Sequence, residues 1–187
     1  MSHMTSPLIS PAWLEQSHLH TTPDEQTLDW LFDQGSLTRR LTALSDGAFS
    51  VLPLLEGWQT LRKDECTALD LPEDSRGWVR EVYLRGHQQP WVFARSVAAH
   101  SALEQGGLNL EALGNRSLGE LLFCDHAFER GPLQVCHYPR DWLPVADRAD
   151  HLWARRSRFI RGTLSVLVAE VFLPPLWATL SARPENS

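Results

Sequence analysis

Apolar positions along this chain alternate between two periods, and the changes of period mark its elements. From residue 24 the pattern is helical. Leu28, Leu31 and Phe32 recur at helical spacing behind Thr22-Pro23-Asp24-Glu25, which reads as a capping box with proline in the first turn, and Gly35 closes the run. The spacing predicts a helix over 24–34. Ser36 can cap a second, short helix carrying Leu37, Leu41 and Leu44. After Gly47 the period drops to two: Phe49, Val51, Leu52, Leu54 and Leu55 precede Gly57-Trp58, with Pro53 marking an edge strand or a bulge. A polar loop runs through Pro72-Glu73-Asp74, and the stretches 78–84 and 91–97 read as a hairpin joined by Gly86-His87-Gln88-Gln89-Pro90. Short helices are expected over 101–105, 108–113 and 117–122, punctuated by Gly106-Gly107 and Gly114. Strand character returns over 133–138, 153–163 and 164–173, the last ended by Pro174-Pro175. The loop 139–150 and the tail after Pro175 are expected to be mobile. Strands pairing with sequence neighbours favour an antiparallel α+β fold over βαβ units.

Two charges interrupt this apolar alternation. In Trp78-Val79-Arg80-Glu81-Val82-Tyr83-Leu84, Arg80 shares a face with Trp78, Val82 and Leu84; in 166–173, Glu170 shares a face with Val166, Val168 and Phe172. A buried charge without a partner costs several kcal/mol, so each residue needs the other or a ligand. An internal Arg80–Glu170 salt bridge is the plain structural reading. Against it stands a surplus of inward cations: Arg95 alternates with Trp91, Phe93 and Val97, and Arg155, Arg156, Arg158 and Arg161 follow. Guanidinium groups in apolar surroundings suit a small molecule bearing carboxylates, because the planar fork matches a carboxylate bidentately.

Composition narrows the classes. With 187 residues, 43% of them hydrophobic, the chain can fill one ordinary core, so a single domain over 1–187 is expected, its core at about 24–174. A formal charge of −6 argues against a nucleic-acid surface. Three cysteines, Cys66, Cys124 and Cys136, form no CxxC pair and fit a reducing compartment. Cys124-Asp125-His126 and Cys136-His137 lack zinc spacings, so no metal is expected. Neither a signal peptide nor a membrane span is evident, which predicts a cytoplasmic protein; a monomer is expected.

The ordered motifs Asp29-Trp30-Leu31, Trp78-Val79-Arg80-Glu81, Pro90-Trp91 with Arg95, Leu118-Gly119, Leu122-Phe123, Leu152-Trp153-Ala154-Arg155-Arg156-Ser157-Arg158 and Glu170-Val171-Phe172-Leu173-Pro174 together resemble the chorismate pyruvate-lyase family of bacterial ubiquinone biosynthesis. The resemblance implies an antiparallel sheet of about six strands with helical flaps over a buried site. It implies cofactor-free cleavage of chorismate to 4-hydroxybenzoate and pyruvate; if opening of the lids limits turnover, tight product binding and product inhibition are expected. By the same resemblance Arg80 takes the ring carboxylate and Glu170 the hydroxyl end, while Leu37 and Leu118 are the apolar flap positions. Leucine stands at 37 where the family pattern suggests methionine, and preserves apolar cover. Arg155 or Arg156 is assigned to the pyruvyl carboxylate. Arg95 either supports Glu170 or pairs with Glu81 or Asp125. Whether Glu170 transfers a proton or only positions the substrate stays open. The competing class is a non-catalytic domain of similar fold that senses an aromatic carboxylate, as in effector-binding domains of some transcription regulators.

Overall fold

The fold is described from a computed structural model covering residues 10–100, 114–124 and 128–183. Helix α1 (Glu25–Leu31) begins at Asp24, whose carboxylate accepts hydrogen bonds from the backbone N–H and the hydroxyl of Thr27 at 2.9 and 2.6 Å. Asp24, rather than Thr22, is thus the cap. The helix ends at Leu31, three residues before the expected stop, because Asp33 turns back to accept from the Gly35 N–H at 2.9 Å. Helix α2 (Leu37–Leu44) starts at Ser36 as expected and buries Leu37, Thr38, Leu41 and Leu44 on one face.

Strand β1 (Phe49–Thr60) forms the sheet edge and carries a register shift between Pro53 and Leu55, the bulge that the proline announced. The loop expected after it contains a helix, α3 (Lys63–Ala68). Strands β2 (Arg76–Gly86) and β3 (Gln89–Ala99) form the predicted hairpin, turning through His87 and Gln88 at φ 50° and 65°. Gly86 lies under the Trp91 ring so closely that a Cβ would sit 2.2 Å from it. Helix α4 (Leu118–Cys124) is followed by the short strands β4 (Glu129–Arg130) and β5 (Gln134–His137), then by β6 (Trp153–Arg161) and β7 (Leu164–Phe172). The helices expected over 101–105 and 108–113 lie outside the described residues.

All pairings are antiparallel, in the order β1-β2-β3-β7-β6, with β4 and β5 both adding to the outer side of β6. Among the described residues the sheet therefore has seven strands where about six were expected; β4, at two residues, is too short for alternation to reveal. Two segments expected to be mobile contain secondary structure. The segment after β5 turns through two 3-10 helices and buries Leu143 against Tyr138 and Phe93. Pro174 and Pro175 open a last helix, α5 (Pro174–Ala182), instead of ending structure, since proline suits a helix's first turn.

Both faces of the sheet are covered. Against one, α1, α2 and α5 pack Trp30, Leu31, Leu37, Leu41 and Leu176 onto Val82, Leu84, Ala94 and Phe172, and α4 packs Leu118 and Leu122 near Trp78, Ala98 and Val168. Against the other, α3 sets Cys66 on Val79, Val97 and Leu167. This explains why β7 is apolar on both sides.

Candidate active site

Strand register decides which charges meet. Across β1, β2, β3, β7 and β6 one row reads Glu56, Arg80, Ser96, Val168, Ser157, and the next reads Pro53, Val82, Ala94, Glu170, Arg155. Arg80 and Glu170 therefore stand on the same face, under α2 and α4, but two strand spacings apart, roughly 10 Å. They do not bridge each other. Between them the floor is made of Ala94 and Ser96, small side chains that leave room above the sheet.

Each charge has its own support. Arg80, 2% exposed, donates from Nε to Glu56 Oε1 and from Nη2 to the Gly114 carbonyl, both at 2.5 Å. These bonds use two of its five N–H donors and hold the fork in place. Glu170 accepts from Arg155 Nε at 2.7 Å. Arg155, 1% exposed, also donates through Nη1 to the carbonyls of Trp30 and Asp33, both at 3.0 Å, which ties the frayed end of α1 to the carboxylate. Its Nη2 is buried without a hydrogen-bond partner.

Two small chambers meet at this place. The first, of about 20 Å³, is lined by Arg80, Ala94, Ser96, Leu118 and Glu170, among others. The second, of about 10 Å³, is lined by Leu37, Thr38, Arg130, Ser157, Phe159 and Glu170. Gly119, Val168 and Glu170 border both. Neither holds more than a water molecule, so a ring can enter only when the cover moves. That cover is the N-terminal ends of α2 and α4, locked together by a buried hydrogen bond of 2.7 Å between the Thr38 and Ser117 hydroxyls. A far larger, open groove of about 640 Å³ lies at the other end of β1–β3, between Trp58, Leu71, Arg76 and His100. Among its described lining residues the arginine, Arg76, is exposed, and none of them forms a pair like the Arg155–Glu170 ion pair beside the smaller chambers.

The remaining arginines separate by face. Arg95 lies on the α3 side, where Glu65 receives its Nε and Nη2 at 2.6 and 3.1 Å and Glu81 its Nη1 at 2.8 Å. Burial alone would lower its pKa, but these two carboxylates outweigh burial and raise it. Arg95 is a structural partner of Glu65 and Glu81, not a support for Glu170. Arg156, one of the two candidates for the pyruvyl carboxylate, also faces α3 and donates to Gln134 and Asp64 at 3.0 and 3.3 Å; the sheet separates it from the chambers. The apparent surplus of inward cations is thus largely answered by α3 and the turn after it, which bring Asp64, Glu65 and Asp70 over that face.

Residues that alternation did not reveal include Glu56, Ser96, Thr38, Ser117, Ser157 and Arg130. Arg130 donates from Nε to Ser157 Oγ at 2.9 Å and from Nη1 to the Gln34 carbonyl at 3.2 Å. Burial and the neighbouring Arg155 cation bring its pKa down to about 10.

A family model described as Chorismate lyase matches residues 8–182. The chain belongs to the chorismate lyase family. It is 68% identical over 186 residues to "Probable chorismate pyruvate-lyase 2" of Pseudomonas fluorescens strain Pf0-1, covering 100% of both chains. It is 63% identical to "Probable chorismate pyruvate-lyase" of Pseudomonas putida, again with 100% of both chains covered. Among solved structures, the PhnF C-terminal domain superposes with a TM-score of 0.54 at 13% identity, covering 70% of this chain and 87% of that one, a likeness of fold alone. No helix among the described residues is long and apolar enough to cross a membrane.

Proposed function

We propose that the paired chambers are where this chorismate lyase family member converts chorismate to 4-hydroxybenzoate and pyruvate, the step that feeds ubiquinone synthesis. The observation that carries the reading is a buried arginine and a half-buried carboxylate on one sheet face, held apart by Ala94 and Ser96 and roofed by two latched helix ends. Arg80 receives the ring carboxylate. Glu170 faces the C4 hydroxyl, and Leu37 and Leu118 cover the ring.

In the reaction the C3–O bond to the enolpyruvyl group breaks, the C4 hydrogen leaves as a proton, and the released enolpyruvate takes up a proton on its methylene carbon to become pyruvate. Aromatisation supplies the thermodynamic drive and no redox change occurs. The protein's task is to hold the dianion in a reactive pose and stabilise charge growing on the leaving group, so positioning and preorganised electrostatics dominate. Glu170, fixed by Arg155, stands beside the carbon that loses its proton.

The test is stoichiometry. EDTA-treated protein mixed with chorismate is expected to release 4-hydroxybenzoate and pyruvate in equal amounts without added cofactor. Tight 4-hydroxybenzoate binding with no pyruvate released would mark a binding domain instead, and activity lost to chelation and restored by a divalent ion would overturn the cofactor-free scheme.

A further inference from the structure

Chorismate carries two carboxylates, and the site has two chambers. With the ring seated as proposed above, on which this assignment rests, Arg80 consumes the carboxylate at C1 and Glu170 marks C4. The C3 substituent then leaves the ring next to Glu170, at the wall the two chambers share. The space beyond that wall is the second chamber, whose cation is Arg130.

We infer that Arg130 binds the carboxylate of the enolpyruvyl side chain. Arg155, one of the two candidates named from sequence, spends Nε and Nη1 on Glu170 and two backbone carbonyls, and its unpartnered Nη2 borders neither chamber. Arg156 is on the opposite face of the sheet. Arg130 meets the geometric requirements that these two miss. It lines the chamber together with Leu37 and Phe159, and its half-buried guanidinium is oriented by Ser157 Oγ and the Gln34 carbonyl. Two cations, Arg130 and Arg155, also flank Glu170 closely enough that Arg155 lowers the pKa of Arg130. An entering carboxylate relieves that repulsion, and the same field stabilises negative charge on the departing enolpyruvate. Recognition is then divided: the product touches only the first chamber, whereas the substrate spans both.

This division is what an experiment can read. Arg130→Ala, Arg130→Lys and Arg80→Ala are compared for 4-hydroxybenzoate affinity by titration calorimetry and for chorismate kinetics by pyruvate release. Arg130→Ala is expected to bind 4-hydroxybenzoate within about twofold of the wild type while kcat/KM for chorismate falls at least about 30-fold, mostly through KM, the low end of the loss for truncating one side of a charge pair that the bound substrate covers. Arg130→Lys is expected to recover part of KM, since a point charge replaces a fork. Unchanged product affinity also certifies the fold of the two Arg130 variants; if Arg130→Ala does not fold, Arg130→Lys is expected to show at least a fivefold rise in KM at unchanged product affinity. Chorismate kinetics equal to wild type, or product affinity falling in step with KM, would overturn the assignment. Should Arg80→Ala bind 4-hydroxybenzoate like the wild type, the ring placement itself fails, an outcome separate from the Arg130 result.

Discussion

The lids make the sharpest prediction, because a buried hydrogen bond joins them. Thr38 on α2 and Ser117 at the start of α4 share a buried hydrogen bond of 2.7 Å, and both chambers lie beneath it with room for no more than a water. A ring can leave only after this contact opens. Thr38→Val keeps the side-chain volume and removes the hydroxyl. Ser117 has a further interaction of its own, so it is not stranded, and the cost is the net worth of one hydrogen bond, about 0.5–1.5 kcal/mol. Charged to the closed state alone, that converts to a roughly two- to twelvefold faster release of 4-hydroxybenzoate and an equal loss of product affinity. Stopped-flow displacement gives the release rate. A rapid-mixing time course adds the second reading: wild type is expected to show a burst of one 4-hydroxybenzoate per site before the steady rate, and the variant a smaller burst with higher turnover. An unchanged release rate, or a linear wild-type time course with a variant that merely slows, would show that chemistry limits turnover and the latch is only packing.

Other sites give independent checks. Arg80→Ala is expected to weaken 4-hydroxybenzoate binding by about 2–5 kcal/mol, with Arg80→Lys restoring part, as measured by calorimetry. Glu170→Gln keeps shape and hydrogen bonding but cannot ionise; turnover is expected to fall about 10- to 100-fold with binding nearly constant, and a loss under about threefold would confine Glu170 to positioning. Glu65→Ala leaves the buried Arg95 with Glu81 alone and is expected to cost about 3–5 kcal/mol in urea unfolding without changing product affinity, because α3 covers the opposite face. Asp24→Ala is expected to cost about 1 kcal/mol at neutral pH. The Thr27 hydroxyl and N–H hold the Asp24 pKa below the usual carboxylate value, so its stabilisation is present above that value and lost as pH falls through the folded pKa; the gap between the two proteins should narrow in acid.

Arg80 and Glu170 were legible in the sequence because a charge breaking an apolar alternation is a local signal. Their relation was not, since alternation says which residues of one strand share a face but not how neighbouring strands are registered. Arg80 faces Ser96, so Arg95, one residue earlier, points to the other side of the sheet. The same limit left Arg155 and Arg156 undivided until β6 was paired with β7. Arg130 sits in a two-residue strand, too short for any period, and α3 is six residues with four charged or polar positions, which reads as loop. The helix at 174–182 was hidden by reading its prolines as a stop. What alternation captured well was the hairpin, the bulge at Pro53 and the long strands β6 and β7, where burial on both faces leaves an unmistakable apolar run.

The central claim is that one end of the ring belongs to Arg80 and the other to Glu170, beneath α2 and α4. A crystal structure with 4-hydroxybenzoate tests it most directly. The product is expected to be enclosed in the first chamber, its carboxylate within hydrogen-bond distance of the Arg80 guanidinium, its hydroxyl at Glu170, and the lids shifted just enough to admit the ring. Product seated instead in the open groove between Trp58 and His100, or lying in the chamber with its carboxylate turned toward Arg130, would contradict it.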